Sequence, residues 1–277
     1  MISLMSRCFV FCLFGVWLVA TVGCQLNRSL APMALGPSSE RSRLGIAALE
    51  RGDLNEAEKR LEDAVRLNKN DINHRRHYAE VLWKQGKHQE ALQQLDEAVK
   101  RGGQNSDALH ISLAEKYMAL QEYTTAYRYA DEAVRLNPQD ARCWALRGRA
   151  KRLQAIHQAG YAEHSAEMLH QAREDYLRAV SLLPNDRELL AELAAVQMSC
   201  KQPEQALATW LTIQSLYSQN GEPTEVLIGK TETLLTLRRF DEAEMNLTLL
   251  RQRGLENSNE GRRLQEMLTA AQGEIRR

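Results

Sequence analysis

The alanines Ala57, Ala91, Ala126, Ala172, Ala206 and Ala243 recur at intervals of 34, 35, 46, 34 and 37 residues, and this period constrains the fold more than any other feature. Seven residues beyond each stands Ala64, Ala98, Ala133, Ala179, Ile213 or Leu250, two helical turns on and therefore on the same face. Midway lies a larger group in most copies: Leu61, Leu95, Ala130, Tyr176, Trp210 and Leu247. Small residues let the two helices of a pair approach closely, while a larger one fills the groove between neighbours. A self-similar period of this length describes a stack of helix pairs, in which each pair buries a face against the next that it cannot bury alone.

The frame is clearest in Glu122 to Gly148, EYTTAYRYADEAVRLNPQDARCWALRG, where Ala126 and Ala133 are followed by Pro138 and then by Trp144 and Gly148 of the next unit. Upstream, first-helix positions are held by Leu44 and Gly45, Tyr78 and Ala79, Leu113 and Ala114 with Tyr117, and Leu193 and Ala194. Gly52 and Gly86 suit turns that need left-handed backbone, and Pro138 and Pro184 stop second helices. The pattern resembles the tetratricopeptide repeat. That resemblance implies an all-α solenoid of antiparallel helix pairs, wound as a right-handed superhelix whose first helices line the concave side. Six units are expected, at about 38–71, 72–105, 107–140, 141–186, 187–220 and 224–257. Residues 258–277, with Leu264, Met267, Leu268 and Ala271 at helical spacing, suit a capping helix over the last open face.

Ahead of the repeats, residues 1–23 have the three parts of an export signal: a head with Arg7, an apolar run from Cys8 to Val22, and small residues before Cys24. The apolar run is short of the roughly 20 residues that cross a bilayer comfortably. Thr21-Val22-Gly23-Cys24 resembles a bacterial lipobox, with Thr21 in place of the more usual Leu or Val. The resemblance implies cleavage before Cys24 and lipid on its thiol. More than one acyl chain is needed for stable attachment by hydrocarbon burial. Gln25 rather than Asp after that cysteine implies, by similarity to lipoprotein sorting in enteric bacteria, the outer membrane. Residues 24–37, rich in Pro, Gly and Ser, read as a tether with a span of roughly 20 Å.

Charge excludes one class of partner. The chain has 36 basic and 36 acidic residues, and loss of Arg7 with the signal leaves the mature chain slightly acidic, so no basic excess drives nucleic-acid binding. Of five cysteines, Cys143 and Cys200 remain beyond the lipid site. An oxidising envelope could couple them. The repeat register, however, puts them about 16 Å apart along parallel helices, against the roughly 7 Å that a disulfide tolerates, so two free thiols are expected.

Catalytic signatures are absent: there is no glycine-rich phosphate loop, HExxH, GxSxG or CxxC. No cofactor or metal is expected. His157, His164 and His170, and the pair His74 and His77, lack convergent carboxylate or thiolate partners, so all are expected as solvated surface histidines. Unit four carries 12 extra residues around Gly160, with helical periodicity on both sides, so both its helices should lengthen.

The function these features support is a noncatalytic protein-interaction scaffold, lipid-anchored in the bacterial envelope, that recruits a partner protein through its groove. The alternative is an accessory subunit packed permanently into a larger complex of the pilus, outer-membrane-protein or peptidoglycan-enzyme assembly type. Groove positions carried over from related scaffolds are Asn73, Arg76, Glu80, Trp83 and Lys84 in unit two, Glu115 and Met118 in unit three, and Arg142, Arg149 and Arg152 in unit four. The paired asparagines of the chaperone-binding carboxylate clamp are missing, so a chaperone C-terminus is not implied. Arg149 and Arg152 share a helix face and could grip partner carboxylates, with Trp83 as a flat anchor. The bland reading has the arginines bonded to neighbouring helices and Trp83 filling a gap.

Overall fold

A computed structural model describes residues 36–157, 162–217 and 222–275. The export signal, Cys24 and nearly all of the expected tether lie outside the described residues, as does Gly160. The described residues form thirteen α-helices, one 3-10 turn and no strand. None of these helices is long and apolar enough to cross a membrane. The chain divides into two compact units, residues 1–69 and 70–277.

The described residues of the first unit form one helix pair, α1 (Pro37–Glu50) and α2 (Leu54–Leu67). Asp53 caps α2 by accepting a hydrogen bond from the Glu56 amide, which satisfies a donor that the helix itself leaves open. Gly52 turns the chain at φ 80°, where a side chain would be strained. Ala57, Leu61 and Ala64 of α2 are fully buried, as is Ala48 of α1. A Cβ on Gly45 would come within 2.6 Å of Leu61, so the absence of a side chain sets the closeness of the pair.

The second unit continues the pattern with α3 (Ile72–Lys84), α4 (His88–Lys100), α5 (Asp107–Ala119), α6 (Tyr123–Leu136), α7 (Ala141–His157), α8 (Ala162–Leu182), α9 (Arg187–Ser199), α10 (Pro203–Ser215), α11 (Thr224–Thr236), α12 (Phe240–Gln252) and α13 (Asn259–Ile275). Every repeat-register alanine and its successor two turns on is at most 1 % exposed, from Ala91 and Ala98 through Ala243 and Leu250. Asp71, Ser106 and Asp186 cap α3, α5 and α9 with side-chain acceptors. The extra length of the fourth pair goes into both helices, α7 with 17 residues and α8 with 21. Helix α13 places Leu264 and Leu268 in the same apolar cluster as Leu227, Leu234, Leu247 and Leu250, closing the end of the stack.

Two features of the packing were not apparent from the alanine pattern. First, the turn between paired helices adopts left-handed backbone in later repeats too, but on Gln121, Lys201 and Arg238 at φ 63°, 58° and 57°. Second, the bulky midpoint of a second helix seats on a glycine of a first helix. Tyr176 lies 3.1 Å from a Cβ built on Gly148, and the Trp210 ring 2.3 Å from one built on Gly229.

Two histidine expectations are corrected. His74 is only 4 % exposed, with Asp71 3.5 Å from its Nε2, and is not solvated. Its neighbour His77 is half-buried, and burial together with the adjacent Arg76 charge pushes its pKa down to about 4. The aspartate that caps α3 lies beside the buried His74 ring, a placement that sequence spacing alone could not distinguish from the surface. His157, His164 and His170 are exposed, as expected.

Candidate functional site

First helices α5, α7 and α9 line one open pocket of about 370 Å³, with Leu183 contributed from the turn after α8. Its floor is apolar, formed by Ile111, Ala145, Leu146, Leu183 and Leu189, and its rim carries Glu115, Arg142, Arg149, Asp186, Glu188 and Glu192. The size suits one large apolar side chain with a few polar contacts around it.

Three of the ten expected groove residues, Glu115, Arg142 and Arg149, meet in this pocket, and the other seven do not line it. Asn73 and Lys84 are exposed on α3. Arg76 Nη2 lies 2.9 Å from the His77 ring nitrogen. Glu80 accepts a 2.6 Å bond from the nearly buried Lys116 ammonium. Trp83 is half-buried, edge-on to His88 at 4.2 Å between ring centroids, with the Lys116 ammonium 5.2 Å from its ring. Met118 packs beside Ala114, Ala130 and Leu146. Arg152 is half-buried with its Nε shielded and unpaired among the described residues.

The pocket's arginines are already engaged. Arg142 bonds both oxygens of Asp140, at 3.0 and 2.6 Å to Oδ2, and holds that carboxyl below its usual range. Arg149 reaches across to Glu192 of α9, and burial opposes while this pairing favours its charged form. Asp186 accepts from the amides of Glu188 and Leu189 at 3.0 Å each. By contrast, the side chains of Glu115 and Glu188 make no hydrogen bond or ion pair with the described residues. Although Glu115 is exposed as a residue, partial burial of its carboxyl raises its pKa, against the pull of Lys116, Arg149 and Arg142.

Behind the pocket wall lies a charged core that the sequence reading missed. Asp175 of α8, 3 % exposed, receives Arg147 at 2.6 Å and Lys151 at 3.0 Å, and Arg147 also holds Asp131 at 2.7 Å. Arg147 spreads over the Trp144 ring at 4.7 Å. The available signal was the i, i+4 spacing of Arg147 and Lys151 on α7, opposite an acid one position before the buried Tyr176. The Tyr176 hydroxyl is fully enclosed near Glu192, and burial drives its pKa upward.

Cys143 and Cys200 are free thiols. Burial pushes Cys143 up to about 11 and raises Cys200 as well, so both stay protonated and unreactive near neutral pH. Asp107, Asp140 and Cys143 bring two carboxylates and the sulfur within 4.8 Å of one another. Asn137 holds Asp107 at 2.7 Å and Arg142 holds Asp140, so both carboxylates already have partners within the fold. This donor set does not fit a metal ion.

Models of the tetratricopeptide repeat match residues 42–106 and 82–150. No curated protein is matched by sequence. Among solved structures, the chain is similar to the Pseudomonas aeruginosa protein pilF, at 17% identity and TM-score 0.67, with 83% of this chain and 97% of that one covered. It is similar to PilW, described as a widely conserved type IV pilus biogenesis factor, at 16% identity and TM-score 0.70, over 83% and 99%. TTC0263, a thermophilic repeat protein of Thermus thermophilus, matches at 20% identity and TM-score 0.53, over 72% and 99%. At such identities these likenesses speak to the fold alone.

Proposed function

Because the chain is a tetratricopeptide-repeat protein, its first-helix groove is the natural place for a partner, and we propose that it is a noncatalytic scaffold of the bacterial envelope, tethered by lipid on Cys24, that recruits a protein through the pocket between α5, α7 and α9. The observation that carries this reading is the pocket itself: an apolar floor with an incompletely neutralised rim on rigid helices, the arrangement of a peptide-binding groove. PilW, which shares this architecture, is described as a type IV pilus biogenesis factor, and we infer an assembly role of that kind here. Four of the six charged rim groups are engaged, Arg142 with Asp140, Arg149 with Glu192 and Asp186 as the cap of α9, which supports binding over catalysis.

Occlusion tests the groove. Glu115→Cys modified with a polyethylene-glycol maleimide should abolish partner recovery from detergent-solubilised envelope, whereas the same adduct at Glu204→Cys on the exposed start of α10 should leave it intact. Equal recovery from both would remove the pocket from the reading. The anchor is tested separately by metabolic labelling with a radioactive fatty acid, which should mark the wild type and not Cys24→Ser.

The accessory-subunit reading draws on Leu177, Leu211, Met245 and Leu249, which are 41%, 50%, 61% and 41% exposed on second helices α8, α10 and α12. Such side chains suit a lasting apolar contact on the face away from the pocket-lining helices.

A further inference from the structure

The pocket's charge balance differs from what its arginines suggested, and it selects a partner. Among its lining residues four are acidic and two basic. Both bases are spent within the protein, Arg142 on Asp140 and Arg149 on Glu192. Asp186 is satisfied by the amides at the start of α9. Left over are the carboxylates of Glu115 on α5 and Glu188 on α9, on helices that flank the apolar floor.

Resting on the groove reading above, we propose that the occupant is a segment of a partner protein that places a lysine or arginine beside a large apolar side chain, the apolar group on Ile111, Leu146 and Leu189 and the cation on the acidic rim that carries Glu115 and Glu188. A carboxylate that has lost part of its hydration without gaining a fixed partner is stabilised by an incoming cation. The raised pKa of Glu115 is consistent with this, since burial is its leading cause. An acidic segment would instead meet two like charges that hold no fixed partner, and to find a cation it would have to draw Arg149 from Glu192 or Arg142 from Asp140, which disfavours it. An apolar side chain alone would fill the floor but leave the Glu115 carboxylate partly dehydrated and unpaired.

The test uses the full chain in detergent and three fluorescent sets of capped octapeptides. All carry a fixed leucine, followed by lysine or arginine in the first set, glutamine in the second and glutamate in the third, with other positions randomised. Fluorescence anisotropy should rank the basic set about tenfold tighter than the neutral set, with the acidic set weakest. Glu115→Gln with Glu188→Gln should erase that preference while circular dichroism stays unchanged, because neither side chain supports a contact in the fold. If the neutral or acidic set binds as well as the basic one and the Glu115→Cys adduct blocks it, the groove stands and the basic partner falls. A basic preference that survives the double substitution places the cation elsewhere and also overturns the proposal. No binding by any set, or binding that the adduct leaves untouched, overturns the groove reading along with it.

Discussion

Replacing Gly229 by alanine tests whether the repeats are held by close approach or by helix propensity. Gly229 lies inside α11, where alanine is favoured over glycine by about 1 kcal/mol. A Cβ there would stand 2.3 Å from Cζ2 of Trp210 and 2.8 Å from two further ring atoms, all in a rigid indole that is only 7 % exposed. Relief requires moving the ring or separating α10 from α11, and overpacking of this kind costs about 1–3 kcal/mol. Because the contact is far inside van der Waals distance, the upper part of that range applies, and the net expectation is a loss of about 1–2 kcal/mol. Gly273 of α13 supplies the control, since nothing lies within 4 Å of its added Cβ. Gly273→Ala should stabilise by a few tenths to 1 kcal/mol, less where the helix end frays. Thermal melts followed by circular dichroism should separate the two variants by several degrees, at roughly 2–4 °C per kcal/mol for a chain of this size. Tryptophan emission should shift only in Gly229→Ala. A Gly229→Ala protein that melts at or above the wild type would refute the argument that the indole sets the spacing of these helices.

Asp175→Ala removes the shared acceptor of Arg147 and Lys151 and leaves two cations in a largely buried site, so a loss of about 3–5 kcal/mol is expected by denaturant titration; a change under 1 kcal/mol would show the network to be solvated. Lys201→Gly and Arg238→Gly relax left-handed backbone at exposed turns and should each stabilise by about 0.5–1 kcal/mol in the same titration. His77 has its folded pKa depressed to about 4 from an ordinary 6.5, so the unfolded chain binds the extra proton first as pH falls. Stability contributed by neutral His77 is therefore complete above about pH 6.5 and is lost as pH drops toward 4. The loss is about 1–2 kcal/mol once solvent screening of this half-buried ring is allowed for. His77→Gln should flatten that part of the stability profile, and an unchanged profile would assign the acid sensitivity to another group.

The sequence by itself determined the helix pairs, because the alanine period is a steric requirement. A position that touches a neighbouring helix tolerates only a small side chain, so the contact is written into residue identity at Ala57, Ala91, Ala126 and their equivalents. The same holds for Gly52 and Gly86, where the left-handed turn favours one residue type. Gln121, Lys201 and Arg238 occupy the equivalent turns without that marker, since the surrounding pairs impose the geometry on residues that would not choose it. Gly229 gave no signal either, as its role depends on an indole from the preceding pair. The pocket was half legible: register placed Glu115, Arg142 and Arg149 on facing helices, but charge balance is a property of pairs across repeats. Whether Arg149 faces a partner or Glu192 depends on a contact spanning 43 positions. The buried place of His74 and the seat of Asp175 between two cations were likewise decided in three dimensions, where burial and neighbours, not residue type, fix what an ionisable group does.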